Sequence, residues 1–187
     1  MTQEELHEIE LYVDTGKDET NAAVQELLNT LPLDQTVEQT LQAAGINQPV
    51  MLTLLITSDE TIKDMNKQYR QQNKPTDVLS FPLLEKPLVN APADQLWQPQ
   101  EGAEEAQPGT PFVTPPELIT NLGDIVISWP TLERQATEAN HSTSYELLYL
   151  LSHGVLHLVG YDDMREAGYQ RMVGIQQSVL QALGQKA

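Results

Sequence analysis

Residues 50–70, VMLTLLITSDETIKDMNKQYR, hold a strand, a helix and the joint between them. Val50 to Thr57 is a short, almost wholly aliphatic run, which suits a strand buried on both faces. Ser58 follows, with Asp59 and Glu60 directly after it. A hydroxyl followed by acidic residues is the composition that caps and opens a helix, so Asp59 to Arg70 is predicted helical. Working outward, EIELYV at 8–13 alternates weakly and reads as a strand. Helices are expected over 21–31 and 37–44, the second ended by Gly45. Downstream, DVLSFP at 77–82 and NLGDIVIS at 121–128 are short strands, and Pro130 suits the first turn of a helix over 131–139. An apolar helix over 144–159 and an amphipathic one over 164–183 complete the chain. Strands and helices mix, so the expected class is α+β: a small mixed β-sheet packed with helices.

A chain of 187 residues is long enough to bury a sizeable core, and a single domain over 1–187 with one core is expected. One tract interrupts the pattern. Between Pro82 and Pro116 lie eight of the twelve prolines, with no periodic apolar face. This composition predicts a flexible, solvated insertion at about 83–117.

The opening MTQEELHEIE is acidic, where a leader or transit peptide needs basic residues, so the expected location is the cytoplasm. The longest apolar stretch, 147–159, is interrupted by Ser152, His153, Gly154 and His157 and is too short for the roughly 20 residues of a membrane span. No membrane partner is expected. Cysteine is absent, so disulfides and thiolate ligands are excluded, and any metal must be held by His and carboxylate. The net charge of -17 opposes a broad electrostatic grip on nucleic acid. Locally the sign reverses: Lys63, Lys67, Arg70 and Lys74 recur at helical spacing, which gathers them on one face.

The chemistry concentrates in HGVLHLVGYDD, residues 153–163. His153 and His157 stand one helical turn apart, the spacing at which two imidazoles reach one ion. Gly160 can turn the chain, so that Asp162 or Asp163 returns toward the same point as a third ligand. Two histidines at this spacing are by themselves often packing or surface residues. Here two of the chain's four histidines coincide with a glycine turn and an acidic pair, and buried imidazoles without partners would cost stability. The pattern HxxxHxxGxxD is zincin-like, echoing HExxHxxGxxH, but Gly154 stands where a zinc peptidase needs its glutamate base.

The segment resembles the hallmark HGxLHLxGYDH of the YbeY family of ribosomal RNA maturation factors, departing only at Asp163. Three further blocks match in order: NKQYRQQNKPTDVLSFP at 66–82, LGDIVIS at 122–128, and NHS with YELLYL within 140–150. The resemblance implies a mixed sheet backed by helices, a metal-binding cleft holding one zinc ion, and single-strand-specific endoribonuclease activity. It further implies action on the 3′ end of 16S ribosomal RNA and in ribosome quality control, with the small ribosomal subunit as partner. Carried over by position, His153 and His157 are zinc ligands, the family's third histidine falls on Asp163, and its arginine falls on Arg70 as the catalytic cation. Lys63, Lys67 and Lys74 share that face as RNA-binding candidates. The insertion is longer than the family pattern leads one to expect.

Two other readings compete. One keeps the metal but turns the chemistry on a peptide or small phosphoester, which the missing base at Gly154 and the clustered cations disfavour. The other is a non-catalytic assembly factor with a structural metal, which needs a fourth ligand such as Asp162 or His141.

Overall fold

The computed structural model describes residues 7–72, 76–99 and 119–185. Four strands among these residues form one sheet: β1 (Glu8–Asp14), β2 (Val50–Thr57), β3 (Val78–Pro82) and β4 (Thr120–Ser128), in the order β1-β2-β4-β3. The first three positions in that order are parallel, and β3 lies antiparallel on β4. Among the described residues six helices pack around them: α1 (Asp18–Thr30), α2 (Leu33–Ala43), α3 (Asp59–Arg70), α4 (Trp129–Glu138), α5 (Thr143–Val159) and α6 (Glu166–Ala182). Parallel strands need long crossovers, which is why helices separate them along the chain.

Alternation along the strands sorts side chains to the two faces of the sheet. Val50, Leu52, Leu54 and Ile56 of β2, with Ile125 and Ile127 of β4, join the main core formed with α1, α2, α4, α5 and α6. Leu79 of β3 and Val126 of β4 point the other way and form a smaller cluster with Ile62 of α3. The single core expected from length is thus a large core on one face and a small one under α3 on the other. Ser58 caps α3 as its sequence predicts, its hydroxyl accepting from the Thr61 amide at 3.2 Å. Inside the main core, Thr40 and Ser152 exchange a hydrogen bond at 2.8 Å, tying α2 to α5 without leaving a hydroxyl unpaired.

Residues 83–99 correct the expectation of a flexible insertion. Val89 is 6% exposed within the main core, and Leu84, Leu88, Ala91 and Leu96 pack against it. A 3-10 turn at Ala93–Gln95 precedes an isolated bridge between Leu96 and Tyr161. The missing periodicity misled because these side chains anchor one at a time on the ends of other elements. The tract from 100 to 117 lies outside the described residues.

His7, from the acidic opening of the chain, is buried, and its Nδ1 accepts the Val50 amide at 3.2 Å, joining the start of β1 to the start of β2. Burial lowers its pKa, partly offset by Glu38 and Asp34. Among the described residues, no helix is long and apolar enough to cross a membrane.

The parallel strands end together at Asp14, Thr57 and Ser128, beside the starts of α3 and α4. Asp59 sits there: it accepts from Ser128 at 2.5 Å and Thr131 at 2.7 Å, and pairs with Arg134 at 2.9 Å. Burial alone would raise its pKa, but the two hydroxyls and the guanidinium outweigh it and leave the carboxyl below its ordinary 3.8. A depressed carboxylate stabilises the fold above its unfolded-state pKa, and the gain is lost as pH falls through the folded value. Asp59→Asn is therefore expected to cost about 1–2 kcal/mol at pH 7, with the difference fading below pH 3.8. Urea melts of both proteins at pH 7 and pH 3 measure it; a penalty independent of pH would remove the charge from the account.

Candidate active site

α5 begins at the cap Ser142, whose hydroxyl accepts the Tyr145 amide at 3.0 Å, and it is mostly buried. From Glu146 onward its only residues that are not buried are Tyr149, His153 and His157, at intervals of four. That interval keeps them on one stripe of the helix. The rest of the helix is fixed by packing, and Gly154 shows how tightly: a Cβ there would approach Ile125 Cδ1 and Cγ2 at 2.8 Å. Position 154 faces β4, while 153 and 157 face outward. A glutamate at 154 would therefore have neither room nor the direction to serve chemistry beside the two imidazoles, which weakens the peptidase reading.

Gly160 ends α5 with φ 139°, a conformation that favours glycine, and the backbone turns through Tyr161 and Asp162 to Asp163. Asp163 Oδ2 arrives 3.3 Å from His153 Nε2. The hydrogen bond from His153 is the largest influence on Asp163. It overcomes the opposing effect of burial and, with the nearby charges of His157 and Arg70, holds the carboxyl down to about 2. Asp163 is thus anionic across the physiological range. His157 is lowered chiefly by its burial; Asp163 opposes that, while His153 and Arg70 reinforce it. The ring is kept neutral, and its Nδ1 is buried without a hydrogen-bond partner among the described residues.

Arg70 is the last residue of α3 and is exposed, yet its charge is felt at both His157 and Asp163. The structure thus pairs His153 with Asp163 and leaves the charges of His157 and Arg70 near enough to act on that carboxylate. Lys63 and Lys67 are exposed on α3, and Lys74 lies outside the described residues. Asp162 is otherwise engaged: Oδ1 accepts the Met164 amide at 2.9 Å, and Oδ2 lies 3.4 Å from Arg165 Nε. His141 sits at the opposite end of α5, 3.5 Å from Glu146 and edge-on to Tyr145. Its partner Glu146 precedes His153 by seven residues, about 10 Å of helix rise. His141 and Asp162 are thus poorly placed as ligands.

The donor set suits a divalent cation chemically: two imidazoles, one kept neutral, and a carboxylate that stays ionised. Its present arrangement is pairwise. Among the described residues, no group of three or more His, Asp or Glu is gathered as a metal ion requires, and Asp163 is directed at His153.

One residue at this site escapes sequence reasoning. Trp97 Nε1 donates to the His157 carbonyl at 2.7 Å. A large aromatic inside a proline-rich tract, one of only two tryptophans in the chain, was the available signal, since such a ring seldom stays in solvent without cause.

Comparison with known proteins adds independent findings. The family model described as endoribonuclease YbeY matches residues 14–184. A protein of Dehalococcoides mccartyi named endoribonuclease YbeY is 41% identical over 138 residues, covering 74% of this chain and 72% of that one. Proteins of the same name are 38% identical in a Roseiflexus species, over 81% of this chain and 82% of theirs, and 32% identical in Bacillus mycoides, over 89% and 93%. The solution structure of TM1509 from Thermotoga maritima aligns with a TM-score of 0.48 at 21% identity, covering 92% of this chain and 91% of that one.

Proposed function

The chain belongs to the endoribonuclease YbeY family, and on that premise we propose that it is a zinc-dependent, single-strand-specific endoribonuclease. Its substrate is the 3′ end of 16S ribosomal RNA on the small subunit, with a part in ribosome quality control, in the cytoplasm. The observation that supports this best is the pairing of Asp163 with His153, one helical turn from His157, at a carboxylate on which the charge of Arg70 also acts.

His153, His157 and Asp163 are the residues that would hold the ion. Bound there, zinc would supply Lewis acidity, making water nucleophilic near neutral pH and polarising the phosphate. The protein's own contributions follow from its residues. Burial keeps His157 neutral, so that the ring retains a lone pair to offer. Asp163 needs no deprotonation above a pH of about 2. Arg70 supplies a permanent guanidinium to the charge that builds on the attacked phosphate. Lys63 and Lys67 extend a basic track along α3 for the adjoining backbone; Lys74 remains a candidate for RNA contact from beyond the end of that helix.

A carboxylate in place of the family's third histidine lowers the charge of the site by one. Harder cations than zinc then compete better than they would at three imidazoles. With His141 and Asp162 engaged elsewhere, a closed four-ligand structural site finds no support in their contacts.

Elemental analysis of the purified protein, paired with cleavage of a single-stranded RNA before and after chelation, tests the reading. His153→Ala and His157→Ala are each expected to lose most of the bound metal and more than about 100-fold in cleavage rate, beyond the 10- to 100-fold typical of partners that only support a ligand. Asp163→Ala should weaken metal binding severely. Asp163→His should restore it with a stronger preference for zinc, while Asp162→Asn keeps the ion. Stoichiometric metal in both histidine variants would remove the site.

A further inference from the structure

The last carbonyls of a helix have no partner within it and are ordinarily left to water. At the end of α5 they are taken up by residues 83–99. The Leu88 and Val89 amides donate to the Val159 carbonyl at 2.8 and 3.1 Å, and the Trp97 amide to that of Gly160 at 2.9 Å. The Trp97 indole donates to the carbonyl of His157 itself at 2.7 Å. The exchange runs both ways, since the Asp162 amide donates to the Gln95 carbonyl at 3.0 Å and Leu96 bridges to Tyr161. Pro87 closes against Gly160 so tightly that a Cβ there would meet its ring at 2.6 Å. This lacing spans the chain from His157 to Asp162, the stretch that sets where Asp163 lies relative to the two imidazoles.

We infer that this first half of the proline-rich tract is a strap that positions the site, and that Trp97 is its positioning residue. The inference rests on the nuclease reading for its functional consequence and on the backbone contacts for its structural one. A glycine turn left to solvent would let Asp163 sample many placements. Held from two sides, it presents its carboxylate in one, and a site loosened by a fraction of an ångström loses rate while still binding its substrate. Trp97 does not touch the reacting atoms; it acts through the last turn of α5.

Trp97→Phe keeps an aromatic ring in the half-buried position and removes the indole donor together with the second ring. Two readouts on the full-length protein decide the matter. In metal-free protein, amide exchange over 160–163 should accelerate on the order of 10-fold while exchange in β2 and β4 stays at wild-type rates. On a single-stranded RNA, kcat should fall on the order of 10-fold with KM unchanged, the loss typical of groups that orient a ligand. Wild-type exchange over 160–163 overturns the strap, and accelerated exchange with wild-type kcat overturns its positioning role. If the wild-type protein cleaves no RNA, the nuclease reading has failed instead, and the exchange measurement still decides whether Trp97 holds the turn.

Discussion

Arg70→Glu is expected to lower kcat on single-stranded RNA by roughly 100- to 1000-fold, the usual cost of removing one well-placed donor from developing charge. Bound metal should stay near wild type, because Arg70 influences His157 and Asp163 through its field and is not among the proposed ligands. The fold should tolerate the change, since the side chain is exposed on the last residue of α3. A reversed charge at the helix C-terminus costs only about 0.3–1 kcal/mol. Arg70→Lys separates charge from geometry: the ammonium keeps the charge but cannot offer two parallel donors to a phosphate, so an intermediate rate is expected. Single-turnover kinetics with saturating RNA, alongside metal analysis, measure both. An undiminished rate in Arg70→Glu would take Arg70 out of the mechanism.

Replacing residues 86–99 by a Gly/Ser linker of equal length should destabilise the protein strongly, contrary to what their composition suggests. The replacement removes Val89 from the main core and strips Leu88 and Leu96 from its margin. At about 1.5–3 kcal/mol for a fully buried aliphatic side chain and less for the partial ones, the loss is on the order of 4–6 kcal/mol. For a chain of this size that lowers Tm by roughly 10–20 °C. Thermal melts followed by circular dichroism give the answer, and a Tm within a few degrees of wild type would return the tract to the status of a solvated loop.

How far the sequence could be read depended on whether a segment answers to one face or to several neighbours. β2 and α3 match their expected limits because an aliphatic run and a capped basic helix each carry a complete local signal. The His153–His157 pair was legible for the same reason, since spacing alone places both rings on one stripe. Arg70 acts on His157 and Asp163 from the far end of α3, a relation between distant segments that its spacing could not reveal; the family resemblance supplied the link. The strap was illegible because Val89, Leu96 and Trp97 each meet a different part of α5 and its turn, so no period arises. His7 was missed in a similar way: its partner is the amide of Val50, far along the chain.

The end of the sheet occupied by Asp59 bears on how so acidic a protein chooses where a polyanion settles. Helix N-termini beside the carboxyl ends of parallel strands are ordinarily attractive ground for phosphate. Here a cleft of about 630 Å³ opens at that end, and in its lining Asp14, Asp59, Glu60 and Glu133 outnumber Lys17. The protein has seated its own anions where a nucleic acid's would go. On the proposed reading, an RNA strand drifting over the surface would be turned away from this end of the sheet and left with the Arg70 side of α3, the surplus of acid serving as a guide rail.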